Sequence, residues 1–158
     1  MPASLPTPSP IGPAPAPPQP ALPRWEHFDH GADIGVRGWA PTKAGAFEQA
    51  AQALAAVIAA PGRVRPAVAV PLSCRAADDE ALLVAWLNAL VYEMATRRML
   101  FSDFEVTIAD HRLHARVRGE PLDITRHQPA VEVKGATWTA LRVAPSQGGW
   151  LAQVVVDV

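Results

Sequence analysis

The sequence contains one cysteine, Cys74, among its 158 residues. A single cysteine excludes an intramolecular disulfide and any zinc site built from more than one thiolate. Such cysteine usage fits a reducing compartment, so we expect a cytoplasmic protein. No apolar run approaches the about 18 residues that a membrane-spanning helix requires. The first 20 residues carry no lysine or arginine, unlike a signal peptide, and we expect no membrane partner.

An excess of one charge sign is also missing. Fourteen Lys and Arg residues face fifteen Asp and Glu residues, which gives a net charge of −1. Proteins that hold nucleic acid tightly usually carry a basic excess, so the overall charge gives no sign of nucleic-acid binding and leaves only a local basic patch as an alternative. The chain also lacks the G-x-S-x-G, P-loop and G-x-G-x-x-G motifs. No nucleophile, base and oxyanion hole come together in the sequence, so the residues alone indicate no particular reaction.

Proline is concentrated at the beginning of the chain. Ten of the first 24 residues are proline, against seven in all the others. Because proline fixes φ and has no N–H donor, we expect residues 1–24 to be an extended, disordered tail. The tail is either a plain tether or a ligand for a proline-binding module. Residues 25–158 then form one domain, long enough to bury roughly two-thirds of the surface of its unfolded chain.

Two segments have apolar residues at helical spacing. Residues 42–60 place them on one face, with Thr42 as a candidate N-cap and Pro61 shortly after the end. Residues 78–97 begin with three acids and end with arginine, as the helix dipole favours. Both segments are therefore predicted to be helices packed on a core.

The remaining segments alternate apolar and polar residues, which predicts half-buried strands. These segments are 63–76, 104–108, 113–117, 131–144 and 150–158. Pro66 and Pro71 place the first of them at a sheet edge, because proline cannot donate to a ladder. Two helices among about seven strands favour an α+β fold, in which the helices pack on a mainly antiparallel β-sheet sandwich.

Asp33 is the first candidate for chemistry. It lies in H-G-A-D-I-G-V at 30–36, just before a predicted strand and between small residues, where a core side chain is not expected. The flanking glycines allow a close approach of the backbone. The alternative is an Asx turn that opens the strand.

Asp157 is the second candidate, because it is an acid within the apolar strand V-V-V-D-V. A buried charge is costly unless it is paired or bound to metal. The carboxylate of Val158 adds oxygen ligands next to it, and Ca²⁺, Mg²⁺ and Mn²⁺ favour clustered oxygens. A frayed, solvated terminus is the alternative.

Glu120, Asp123 and His127 lie close together in a predicted loop. Such a group of acids and a histidine is able to bind metal, contact a partner or cap a short helix. Lys134 lies within a predicted strand, where it either contacts phosphate or is simply solvated. Cys74 is either a nucleophile or a small buried apolar group.

Several segments, in their order along the chain, resemble the archease family. The family's H-T-A-D-I-G-I element is matched by residues 30–36, and its W-L-N-x-L helix by W-L-N-A-L at 86–90. The other matching segments are E-A-L-L at 80–83, L-F-S-D-F at 100–104, G-E-P-L-D at 119–123, R-H at 126–127, V-K at 133–134, and Trp150 with the closing D-V at 157–158. The resemblance spans residues 25–158 and depends on the joint order of these elements.

Two positions depart from the family pattern. Gly31 stands where the family usually has threonine, which removes a hydroxyl at that point. The family's A-x-T-Y-H is represented by G-A-T-W-T at 135–139, so that Thr139 replaces the histidine.

The resemblance implies a function. Archeases are small, non-catalytic cofactors of the RtcB-type GTP-dependent RNA ligase in tRNA splicing and RNA repair. They promote guanylylation of the ligase histidine and so sustain multiple turnover. RNA would then be reached only through the ligase, which agrees with the balanced charge. A second implied role is that of a chaperone or adaptor for a tRNA methyltransferase or another RNA-modifying enzyme.

The resemblance also implies a site. It suggests a bound divalent metal, calcium in the family's usual description, with Mg²⁺ and Mn²⁺ as alternatives. By position, the ligands are Asp33, Asp157 and Val158, the last through a backbone or terminal oxygen. The family's functional lysine falls on Lys134. Glu120, Asp123 and His127 are expected near the partner or its nucleotide, and the oligomeric state is left open.

Overall fold

A computed structural model describes residues 23–158 of the chain. The predicted disorder of residues 1–24 therefore falls almost wholly outside the described range. Within that range, Arg24 is already the first residue of the first strand.

The described residues form three helices and eight strands. The helices are α1 (Lys43–Ile58), α2 (Asp79–Arg97) and α3 (Ile124–His127). The strands are β1 (Arg24–His30), β2 (Asp33–Ala40), β3 (Val68–Arg75), β4 (Met99–Ala109), β5 (Arg112–Pro121), β6 (Gly135–Ala136), β7 (Arg142–Ser146) and β8 (Gly149–Asp157). None of the helices formed by residues 23–158 has the length and apolar character needed to cross a membrane.

The two long helices begin where the sequence predicts them. The Thr42 hydroxyl accepts a hydrogen bond from the Gly45 N–H at 3.0 Å and caps α1. The Asp78 carboxylate accepts from the Ala81 N–H at 2.8 Å and caps α2, whose first turn carries two further acids. Helix α2 ends at Arg97 and is followed by the C-cap Arg98, which adopts a left-handed conformation with φ of 53°.

The strands form two antiparallel sheets. One has five strands in the order β1-β2-β8-β6, with β7 also paired to β8, and the other has the order β3-β5-β4. The edge position predicted for the segment that became β3 is confirmed. Helices α1 and α2 each contact strands of both sheets, and one apolar cluster joins the helices and the sheets. The predicted α+β class is confirmed.

The single long strand predicted over residues 131–144 is wrong. Only β6 and β7 pair there, and both lie along the same edge of β8. Six residue steps separate Ala136 from Arg142, but only three separate their partners Val156 and Gln153. The surplus residues form a turn around Ala140, whose φ is 52°. Alternation of side chains does not reveal such an insertion, because apolar residues continue on both sides of it.

Candidate functional site

One end of the five-stranded sheet brings together residues that are far apart in the sequence. Strands β2 and β8 pair antiparallel up to Ile34 and Val156, so Asp33 lies beside the end of β8. The Val158 N–H donates to Asp33 Oδ1 at 3.4 Å. The Lys134 N–H donates to the Asp157 carbonyl at 2.8 Å. The structure therefore places the predicted metal ligands and the predicted lysine at the same sheet end.

The arrangement at this end is rich in negatively charged oxygen. Asp33, Asp157 and Val158 are half-buried, and the ion pairs within residues 23–158 use other acids. Carboxylate and main-chain oxygens that meet at one point are the kind of ligand that a hard divalent cation favours. Asp33 bonds across to Val158 rather than within its own turn, so the Asx-turn alternative does not describe it.

The donor set is suited to a hard cation but is small. Within residues 23–158 no three His, Cys, Asp or Glu side chains form a metal-binding group. A cation here would therefore have Asp33 and Asp157 as side-chain ligands and would need a main-chain oxygen, which Val158 offers. Oxygen ligands of this kind fit Ca²⁺, Mg²⁺ or Mn²⁺ better than a soft metal.

Asn88 is a contributor that the sequence analysis did not assign to the site. Its side-chain Oδ1 accepts the Ala136 N–H at 2.8 Å and so connects α2 to the segment that carries Lys134. A Cβ added at Gly135 would lie 3.0 Å from the same oxygen, a tight contact that the glycine avoids. The only clue in the sequence was that Asn88 is a polar residue next to the apolar residues of α2.

Removing the Asn88 acceptor is expected to loosen the Lys134 segment. Asn88→Leu should speed hydrogen exchange of the Ala136 amide about fivefold, the equivalent of ~1 kcal/mol for one hydrogen bond. Asn88→Asp keeps an acceptor oxygen and should retain most of the protection. Exchange followed by NMR measures both variants. Equal exchange in the wild type and the leucine variant would contradict a tethering role.

Glu120, Asp123 and His127 form a separate, locally satisfied network. Glu120 is only 7% exposed, and its Oε1 accepts from the Arg65 N–H at 3.0 Å, from His127 Nε2 at 2.7 Å and from Arg126 at 2.6 Å. The Arg65 N–H first, and then His127 and Arg126, lower the pKa of Glu120 to about 2. This carboxylate is therefore ionised near neutral pH, and one of its oxygens, Oε1, makes all three contacts.

The rest of the network orients α3. His127 is fully buried, and its Nδ1 accepts the Asp123 N–H at 2.9 Å, so the hydrogen shared with Glu120 is assigned to Nε2. The Asp123 carboxylate accepts the Arg126 N–H at 3.1 Å and caps α3. The capping alternative is confirmed for Asp123. The expectation that the three residues lie near a partner or its nucleotide stays a prediction.

The Glu120 network predicts a specific loss of stability in acid. The pKa of Glu120 is about 2 in the folded chain against 4.5 for an ordinary glutamate. Its stabilising contribution is therefore complete above about pH 4.5 and is lost as the pH falls toward about 2. Glu120→Gln should lower the free energy of unfolding at pH 7, and its difference from the wild type should shrink over that acid range.

Urea unfolding at a series of pH values measures this difference. The exposed Glu132→Gln is the matched control and should follow the wild type. A constant difference between Glu120→Gln and the wild type from pH 7 to the acid limit would contradict the linkage.

Cys74 gives no sign of being a nucleophile. It lies half-buried on β3, and burial raises the pKa of its thiol to about 11. The thiol is therefore protonated at neutral pH, whereas a reactive cysteine has a lowered pKa. The packing alternative describes this residue better.

The fold and this sheet end define a class: a small α+β protein with paired carboxylates, a main-chain oxygen and a lysine at the end of a mainly antiparallel sheet. The family follows from comparison with known proteins. Residues 25–158 match the Archease protein family (MTH1598/TM1083), and the chain belongs to this family.

Characterised relatives agree with this assignment. The chain is 34% identical to Protein archease of Pyrococcus furiosus and 37% identical to that of Thermococcus gammatolerans, each over 140 residues. These alignments cover 85% of this chain and 99% of each relative. The solution structure of Methanobacterium thermoautotrophicum protein 1598 has a TM-score of 0.75 and 28% identity, over 85% of this chain and 98% of that one.

Proposed function

We propose that this archease activates an RtcB-type GTP-dependent RNA ligase by promoting guanylylation of the ligase histidine and repeated turnover. The observation that carries the proposal is the meeting of Asp33, Lys134, Asp157 and Val158 at one sheet end, in a chain of the archease family. The role fits tRNA splicing and RNA repair, in which one ligase molecule must act many times.

In this proposal Asp33, Asp157 and Val158 hold a divalent cation, with Ca²⁺ preferred and Mg²⁺ or Mn²⁺ as alternatives. The bound cation supplies positive charge for phosphate oxygens. Lys134 is exposed, and its ammonium group offers three N–H donors to the same kind of group. The sheet end would lie close to the nucleotide of the ligase and help to orient the triphosphate for attack, which is an effect of position and charge.

The proposed role is that of a non-catalytic cofactor. The sheet end has carboxylates and an ammonium group, and the thiol of Cys74 is held protonated. A hydrolase would also need a general base beside a nucleophile or a bound water. With a net charge of −1, the chain would reach RNA through the ligase rather than by a basic surface of its own.

A multiple-turnover ligation assay tests the proposal. The RtcB-type ligase of the same organism is incubated with GTP, Mn²⁺ and excess RNA that carries 3′-phosphate and 5′-hydroxyl ends, with and without this chain. We expect both ligated product per ligase and histidine–GMP to rise when the chain is present. Unchanged values would overturn the proposal.

The chaperone or adaptor role gives a different result in a parallel assay. It predicts that the chain suppresses aggregation of a tRNA methyltransferase or another RNA-modifying enzyme, and that an Asp157 variant does so equally well. That result, together with an unstimulated ligase, would favour the adaptor role.

A further inference from the structure

A groove of about 700 Å³ lies beside the candidate site, between the last turns of α2, the start of β4 and the segment 129–134. Its walls are mainly apolar, and Lys134 is one of its lining residues. The apolar lining includes Val91, Met94, Leu122, Val131 and Val133. Leu122 and Val131 are each 39% exposed, so apolar side chains are available to a partner.

The segment 129–134 has an unused hydrogen-bonding edge. Its backbone forms no helix, turn or bend. The Ala130 N–H donates to the Ile58 carbonyl and the Lys134 N–H to the Asp157 carbonyl, both at 2.8 Å. Between these two donors lie the N–H groups of Val131 and Val133. Within residues 23–158 neither of these two N–H groups has a backbone partner.

The charge around the groove favours an acidic occupant. Arg98 and Lys134 lie on its rim, are both exposed, and take no part in the ion pairs of residues 23–158. Glu132 is the one acid among the lining residues, so the local balance is positive. The lining therefore combines apolar walls with an excess of cationic side chains.

We propose that this groove binds an extended segment of a partner protein, with alternating apolar and acidic residues, as a strand added to the Val131–Val133 edge. Main-chain hydrogen bonds to an exposed edge provide affinity, and pockets for alternate side chains provide specificity. Apolar side chains of the guest would enter the groove, and its carboxylates would meet Arg98 and Lys134. The proposal requires neither a bound metal nor the ligase, so it can fail or hold independently of the activator role.

The chain's own proline-rich beginning is a poor guest for this edge. Ten of its first 24 residues are proline, and the longest stretch between two of them is three residues. Proline cannot donate to a ladder, so this segment cannot form a continuous added strand. A separate partner chain is the better occupant.

The test uses labelled peptides and the full chain. The probe is a fluorescein-labelled peptide of about eight residues in which valine and aspartate alternate, a typical strand length. Matched probes replace aspartate with lysine or carry N-methyl groups on alternate amides. We expect fluorescence anisotropy to show binding of the acidic probe, and about tenfold weaker binding of each matched probe.

Variants of the chain separate backbone pairing from charge. Val131→Pro removes one N–H and should weaken the acidic probe about tenfold, while Val131→Ile keeps the N–H and should bind as the wild type. Asparagine tolerates the left-handed conformation at position 98. Arg98→Asn removes the positive charge of that side chain and should reduce the ratio of the affinities for the acidic and basic probes. Thermal unfolding checks that each variant is folded.

Three results would overturn the proposal. The first is no binding of the acidic probe, and the second is equal binding of the acidic, basic and N-methylated probes. The third is a concentration-dependent dimer of the chain that Val131→Pro abolishes, which would assign the edge to a second copy instead.

Discussion

Asp157→Asn is expected to remove the stimulation of the ligase while leaving the chain folded. The change keeps the size of the side chain but removes one of the two side-chain carboxylates at the sheet end. Substitution of residues that only orient a metal ligand costs about 10-fold to 100-fold in affinity, so loss of a direct ligand should cost at least as much. Ligation should then fall to roughly the level of the ligase alone.

Two measurements separate loss of the site from loss of the fold. Isothermal titration with Ca²⁺ measures affinity for the metal, and the multiple-turnover assay measures stimulation. Asp33→Asn should behave as Asp157→Asn does. Asp110→Asn is the matched control, because Asp110 is an exposed acid in the β4–β5 turn with φ of 50°, a conformation that asparagine tolerates.

The outcomes of that comparison have distinct meanings. If both variants at the sheet end lose calcium binding and stimulation together, the carboxylates act through the metal. If they lose calcium binding but still stimulate fully, the metal centre exists, and activation of the ligase does not depend on it. If the Asp110 control also loses stimulation, the effect is one of overall charge rather than of this site.

The helices could be predicted accurately from the sequence because their signals are local. Apolar spacing and the caps Thr42 and Asp78 fix α1 and α2 to within about two residues of the prediction. The position of the β4–β5 hairpin was also predictable, because two alternating segments flank a short polar turn, but its strands extend further than the predicted 104–108 and 113–117. In each case the information lies within one element and its neighbours.

The strand pairing near the site could not be predicted, because it depends on partners that are distant in the sequence. Nothing local to residues 131–144 shows that only β6 and β7 pair with this edge of β8, or that the N–H groups of Val131 and Val133 have no backbone partner there. The same limit applies to Asn88, whose partner amide on Ala136 is 48 positions away. Resemblance to the archease family supplied Asp33, Lys134 and Asp157 as a group, and the pairing of β2 with β8 explains why they meet.

Trp86→Ala is expected to destabilise the chain strongly. Trp86 is fully buried on α2, and its indole N–H donates to the Phe47 carbonyl of α1 at 3.0 Å. Its ring meets Phe104 of β4 edge-on, with centroids 6.3 Å apart. One side chain therefore joins two helices and a strand, and its removal leaves a large cavity. Such a truncation costs ~3–5 kcal/mol, a large part of the ~5–15 kcal/mol that stabilises a typical domain.

Two further variants make this prediction specific. Trp86→Phe keeps an aromatic ring but loses the N–H donor, and should cost ~1–2 kcal/mol. Trp138→Ala is the same chemical change at a residue that is 68% exposed, and should alter the free energy of unfolding by less than ~0.5 kcal/mol. Urea unfolding followed by far-UV circular dichroism measures the free energy of unfolding of all three variants. Tryptophan fluorescence is not a suitable signal, because each variant removes one of the tryptophans that produce it. If Trp86→Ala and Trp138→Ala lowered the free energy of unfolding by similar amounts, burial of Trp86 between the helices would not be what anchors α2. The position of Asn88 on α2, and its contact with the Lys134 segment, would then also have to depend on other packing.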